Sequence, residues 1–348
     1  MKFLLEHTLF RRALTFTLLP ISFLLSLIYL TLAIGLYPAL LVGTYTNPAG
    51  SRAPSRHIRF SLMISWYLLM ECIGVLLALL LWLGTLGGYF INFRSSQRAH
   101  ALVQYFWVAS LLSGVRKIIN GKVTFPNLDL PDDKPLLIAA QHCSFFDALI
   151  PTVLIGKNTN NLVLRHVLKS ELLLSPSLDL YGGRLPNCFV TRSGKQSDIE
   201  ISGIHSLAEN LSNDVCVIFP EGTFHSQQRF ENIIQRIEKA DTNSIRLHRI
   251  SQLKHLLPVK PGGVLAMITA APNAQLLFVG HYGLKPFGSM KDILSNIPFT
   301  APIEIYVHQV PVLDMPTEEE KCLEAIDREW LNIDKWIQSR IEKYELCS

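Results

Sequence analysis

Pro135-Leu136-Leu137-Ile138-Ala139-Ala140-Gln141-His142-Cys143-Ser144-Phe145-Phe146-Asp147 is the stretch on which the reading of this chain turns. Leu136–Ala140 is a short unbroken apolar run behind a proline, the pattern of a strand buried on both faces of an α/β sheet. A histidine stands at its end and a carboxylate five residues further on. On a regular helix, at 100° per residue, that spacing would separate the two side chains by about 140°. The pair therefore meets only across a strand-to-helix turn. There, Asp147 fixes the imidazole tautomer and stabilises the imidazolium, and His142 serves as general base. The spacing alone is common. With 11 histidines and Asp at about one residue in twenty, about half a match arises by chance.

A second stretch gives the first its meaning. Val215–Phe219 is another apolar strand, and it runs straight into Pro220-Glu221-Gly222-Thr223. Such a turn presents a carboxylate, a hydroxyl and a backbone that a ligand can approach at the glycine. Around these two stretches, apolar runs alternate with helical patterns. Strands are predicted at Leu136–Ala140, Cys188–Thr191, Val215–Phe219, Leu276–Gly280 and Ile303–Val307. Helices are predicted at Arg94–Lys122, Asp147–Ile155, Ile199–Leu211, Gly263–Ala271 and Thr317–Tyr344. The alternation predicts a layered α/β domain over 94–348, with a mixed sheet flanked by helices. In the last helix Leu323, Ile326, Trp330, Ile333 and Ile337 recur at helical spacing and read as core. No Walker loop or G-x-G-x-x-G turn is present, so no nucleotide site is indicated.

Residues 1–93 have a different texture. The chain has 49% hydrophobic and 17% charged residues, against about 25% charged in ordinary soluble domains. The shortfall is concentrated here, since Ala13–Ser51 carries no charge. As a straight helix, Leu14–Gly43 would be about 45 Å long, against a hydrocarbon core of about 30 Å. It must tilt, kink or lie partly in the interface, with Pro20 and Pro38 as bending points. Its length argues against a cleaved signal peptide. A second apolar stretch, Phe60–Phe93, is interrupted only by Glu71. Between the two, Asn47–Arg59 holds two prolines and three arginines. The pattern is a membrane-embedded helical hairpin over 1–93, either two full spans or a re-entrant pair. Glu71 is an ionisable residue at membrane depth, which snorkels, faces protein or serves function.

The charge agrees with this division. Residues 1–93 carry six basic and two acidic side chains, which accounts for the whole formal excess of +4. Basic residues beside apolar helices suit anionic lipid headgroups and argue against a nucleic-acid partner. The six cysteines form no C-x-x-C pair, so no metal site or redox motif is indicated.

Taken together and in this order, the two stretches resemble the glycerolipid acyltransferase family, the 1-acylglycerol-3-phosphate and lysophospholipid acyltransferase type. That family is marked by N-H-x-S-x-x-D and F-P-E-G-T. Here Gln141 replaces the Asn, His142, Ser144 and Asp147 are kept, and Phe219–Thr223 is intact. Between them, Phe189-Val190-Thr191-Arg192 fits the family's strand ending in arginine, and Lys169-Ser170-Glu171-Leu172 matches loosely. The proline-centred fourth block is not clean; Leu256–Gly263, containing Lys260, is the better candidate. After Thr223, where the family has Arg or Ser, this chain has Phe224. The resemblance covers about residues 120–265.

It implies a membrane-bound enzyme moving a fatty acyl group from acyl-CoA or acyl carrier protein to the free hydroxyl of a lysophospholipid, first of all 1-acylglycerol-3-phosphate. It requires no cofactor, and the chemistry lies at the cytoplasmic face, where the donor is available. His142 and Asp147 are the catalytic pair. Arg192, Lys169, Lys260, Ser144, Pro220, Glu221, Gly222 and Thr223 are the substrate-binding candidates, with Arg192 suited to bidentate phosphate contact. Cys143 is set aside as a nucleophile, because the family uses direct transfer. His166-x4-Glu171 has the same form as the catalytic pair but no preceding apolar strand. Two other readings stay open: a membrane-anchored esterase or thioesterase, although no G-x-S-x-G elbow is present, and a non-enzymatic lipid-binding protein.

Overall fold

A computed structural model describes residues 7–35, 53–131, 133–158, 163–190, 198–240, 244–299 and 301–346. Arg192, the end of the strand predicted at Cys188–Thr191, Pro38 with the end of the Leu14–Gly43 stretch, and residues 47–52 of the Asn47–Arg59 connection lie outside them. The chain is an α/β protein with a seven-stranded sheet and two apolar N-terminal helices. It divides into two compact units. One comprises 1–122, 169–186 and 289–301; the other comprises 123–168, 187–288 and 302–348.

In the first unit, α1 (Thr8–Gly35) and α2 (Ala53–Gly84) pack on each other, and α3 (Arg94–Ile119) packs on α2. Thr8–Leu32 and Arg56–Gly84 are long and apolar enough to cross a membrane. Leu24, Leu25, Ile28 and Leu32 on the first, and Leu76, Leu80 and Leu83 on the second, remain exposed. The helix expected to reach Lys122 stops at Ile119, because Asn120 takes a left-handed conformation and Gly121 bonds back to the Arg116 carbonyl. Glu71 faces protein. It is fully buried, accepting hydrogen bonds from Ser177 N at 2.8 Å and Ser175 Oγ at 3.0 Å. Arg11 pairs with Asp179 at 2.6 Å in the same unit. The Glu71 carboxylate thus has a structural task, tying the 175–177 segment to α2.

The second unit holds the sheet, with strand order β1-β7-β6-β2-β5-β3-β4. The strands are β1 (Lys122–Thr124), β2 (Leu136–Ala140), β3 (Leu164–Lys169), β4 (Cys188–Val190), β5 (Val215–Ile218), β6 (Gln275–Tyr282) and β7 (Pro302–Pro311). β2 lies parallel to both β5 and β6, β3 lies parallel to β5, and β7 closes antiparallel on β6. Every residue of β2 is buried, as the apolar run requires. On one face Leu137, Ala139, Cys216, Ile218, Leu276 and Phe278 pack with Ile204, Met267, Trp330 and Ile333 from the helices.

β3 escaped the sequence pattern because Arg165, His166 and Lys169 interrupt its apolar residues. Arg165 is satisfied at the sheet end by Asp214, 2.9 Å away. His166 lies inside β3. Burial pulls its pKa down to about 4, and its backbone N–H bonds Asn187. It is a neutral strand residue. A helix over Gln227–Ala240 was also missed, although Phe230, Ile234 and Ile237 fall at helical spacing and pack on the core.

Candidate active site

The register sets the site. Ala139 pairs with Ile218 and Ala140 with Val279, so the carboxyl ends of β2, β5 and β6 lie side by side. Ligands bind at such strand ends in α/β sheets. There the chain leaves β2 through Gln141 and His142 and turns into a short 3-10 helix, Asp147–Leu149. This turn, not a regular helix, brings the pair together: His142 Nδ1 lies 3.0 Å from Asp147 Oδ1. The Asp147 side chain is fully buried and that of His142 is 16% exposed. Assigned from this contact, Nδ1 carries the proton and donates to Asp147, which leaves Nε2 as a basic lone pair.

Asp147 Oδ2 accepts from the backbone N–H groups of Cys143 (2.5 Å) and Ser144 (2.7 Å). Burial alone would raise its pKa. The bond from His142 and the nearby His281 outweigh that and hold the carboxyl at about 2. Ser144 was expected at the acceptor, but it is fully buried, and its Oγ accepts from Phe146 N (3.2 Å) and Asp147 N (3.1 Å). It caps the turn.

Glu221 also departs from expectation. It is 1% exposed, and both oxygens are used on backbone amides: His142 N at 2.7 Å and Leu257 N at 2.9 Å. Its carboxyl therefore joins the catalytic loop to the 254–257 loop instead of presenting itself to acceptor hydroxyls. Asp334 braces the same loop, accepting from His255 N (2.7 Å) and Leu256 N (3.0 Å). Burial pushes the Glu221 pKa up to about 8. Because the folded value exceeds the unfolded one, the stability this group contributes declines from about pH 4.3 up to its folded pKa and is level above it. Above that pKa, where both oxygens are ionised acceptors, Glu221→Gln keeps one acceptor oxygen but sets an NH₂ against a backbone N–H. The expected cost is about 1–3 kcal/mol, read as a lower thermal midpoint, together with a reduced kcat as His142 loses its main-chain anchor.

Gly222 sits at φ +67°, and a Cβ there would lie 2.6 Å from Lys260 Nζ. The Lys260 backbone N–H bonds Pro220 O at 3.0 Å. Pro220, Gly222 and Lys260 thus form one corner, with Thr223 half-buried beside it. Lys169 closes β3, half-buried, in the first compact unit.

Three aromatic residues absent from the expected site surround the base. The His142 ring lies 4.9 Å from Phe219 and 4.5 Å from Phe224, and Phe224 meets the 52% exposed Phe145 edge-on at 5.5 Å. Phe224 is the residue that replaces the family's Arg or Ser, a departure visible in the sequence. Burial pushes the Cys143 thiol well above its usual range, which disfavours a thiolate nucleophile. Among the described residues, Cys143, Asp147 and His281 are grouped with ligand atoms within 4.8 Å of one another. A cation there would need the Cys143 thiolate and would compete with His142 and two amides for Asp147.

The Acyltransferase family model matches residues 122–278, the span that holds both motifs. No curated protein matches the chain. Among solved structures, the chain is similar to the 1-acyl-sn-glycerophosphate (LPA) acyltransferase PlsC from Thermotoga maritima. The two are 14% identical with a TM-score of 0.42, and the match covers 78% of this chain and 97% of that one. The histidine held by a buried aspartate and the F-P-E-G-T corner both lie within the span that matches the Acyltransferase family model.

Proposed function

We propose that the enzyme transfers a fatty acyl group from an acyl thioester, of coenzyme A or acyl carrier protein, to the free hydroxyl of a lysophospholipid, with 1-acylglycerol-3-phosphate as the first candidate. The observation that carries this reading is His142: its Nδ1 is committed to Asp147 while its ring stays accessible at a strand end. His142 Nε2 takes the proton of the acceptor hydroxyl. The oxygen attacks the thioester carbonyl, the ester C–O bond forms and the C–S bond breaks. The thiolate leaves with the proton returned by His142, and Asp147 stabilises the imidazolium in between. Lys260, which lies on the 220–223 corner, meets the acceptor phosphate; Arg192 and Lys169 are the further cations that the family resemblance implies.

The apolar helices hold this site at a bilayer, where both lipid chains reside, with the catalytic domain on the cytoplasmic face. Their exposed leucines and isoleucines support membrane attachment, since such a surface is costly in water. The test is the full chain in lipid vesicles with labelled acyl-CoA and a panel of lysophospholipids. Label in phospholipid is the expected result. Label in free fatty acid alone means an esterase or thioesterase, and no conversion means a lipid-binding protein; both contradict the proposal. The headgroup that supports the highest kcat/KM identifies the acceptor.

A further inference from the structure

Asp147 has a second histidine facing it. His281, near the end of β6, is 3% exposed, and its Nε2 stands 3.7 Å from Asp147 Oδ2, the oxygen not used by His142. Neither ring nitrogen has a hydrogen-bond partner at normal distance. Buried polar groups are nearly always partnered, and here Asp147 is the carboxylate in reach. His281 is itself held in place: its backbone N–H donates to Gln141 Oε1 at 2.8 Å, while the Gln141 N–H donates to Val279 O at 2.9 Å. Gln141 is the position where this chain departs from the motif's asparagine, and its longer side chain is what spans to β6.

We propose that His281 is a positioning residue for the reaction, holding Asp147 from the side opposite His142, with Gln141 fixing His281. The proposal rests on the reading of His142 as base. His281 does not touch substrate; it acts through Asp147. A catalytic contact that is long in the unliganded protein commonly tightens when substrate is bound, and a donor at Oδ2 keeps the carboxylate from rotating away from Nδ1.

The experiment measures kcat and KM for the wild type, His281→Ala and His281→Gln, with thermal melts of all three. Gln places an amide N–H where Nε2 stands. In His281→Ala, kcat should fall on the order of 10-fold, as for other residues that orient a catalytic group, with KM unchanged. His281→Gln should recover most of kcat. Wild-type kcat in His281→Ala, or a loss that falls on KM instead of kcat, overturns the proposal. So does a His281→Gln variant no better than Ala, which would mean a packing role, or failure of both variants to fold. Loss of the base reading itself shows separately, as activity retained in His142→Ala.

Discussion

His142→Ala should lower kcat by about 10²- to 10⁴-fold, the usual contribution of a positioned general base, with little change in KM. The ring is the only part of His142 that the reaction uses. Its main chain is held independently, by Glu221 on the backbone N–H, and alanine keeps that bond. The groups expected to hold the acceptor phosphate lie on other segments, so ground-state binding survives. The variant still folds, although Asp147 Oδ1 is left without its partner, at about 1–3 kcal/mol. A melting curve with one cooperative transition and a midpoint a few degrees lower separates this from unfolding. Substantial turnover in a folded His142→Ala would remove the mechanism.

Asp147→Asn is expected to be nearly as severe, by about 10²- to 10⁴-fold in kcat. The side chain has two jobs that one amide cannot do at once. If its oxygen takes the two backbone N–H groups of Cys143 and Ser144, its NH₂ points at His142 Nδ1, forces the proton onto Nε2 and abolishes the base. If the oxygen faces His142 instead, the NH₂ meets two N–H donors and the turn loses both bonds. The same residue predicts an acid limit. Its folded pKa of about 2 lies below the unfolded value, so the stability it contributes is full above about pH 4 and is lost as pH falls toward 2. Melting midpoints measured across that window should drop in the wild type and lack this component in Asp147→Asn.

The strand at Leu136–Ala140, the turn that brings His142 to Asp147 and the corner at Phe219–Thr223 were legible because each is local. Apolar runs and turn residues signal themselves over a few positions. What the sequence withheld depends on pairing between distant segments. Nothing near Glu221 says that its oxygens will be spent on His142 N and Leu257 N, 79 and 36 residues away. Ser144 is expected at the acceptor because it belongs to the family's motif; instead its Oγ accepts from the backbone of the turn, at Phe146 N and Asp147 N. His281 had no visible partner because the register of β2 on β6, Ala140 against Val279, is what carries it to Asp147. Phe224 is legible as a departure, but its contact with the imidazole is not. β3 was hidden by its own charged residues, of which Arg165 pairs with Asp214 just before β5.

Direct transfer from thioester to lipid hydroxyl makes a sharp demand on thiol release. The full chain in vesicles is mixed rapidly with acyl-CoA and a thiol reagent, first without a lysophospholipid and then with 1-acylglycerol-3-phosphate. Thiol release is expected only with the acceptor, without a burst, and in step with the phospholipid formed. A burst of thiol stoichiometric with enzyme in the absence of acceptor, together with an acyl group on Cys143 or Ser144 found by mass spectrometry, would contradict it.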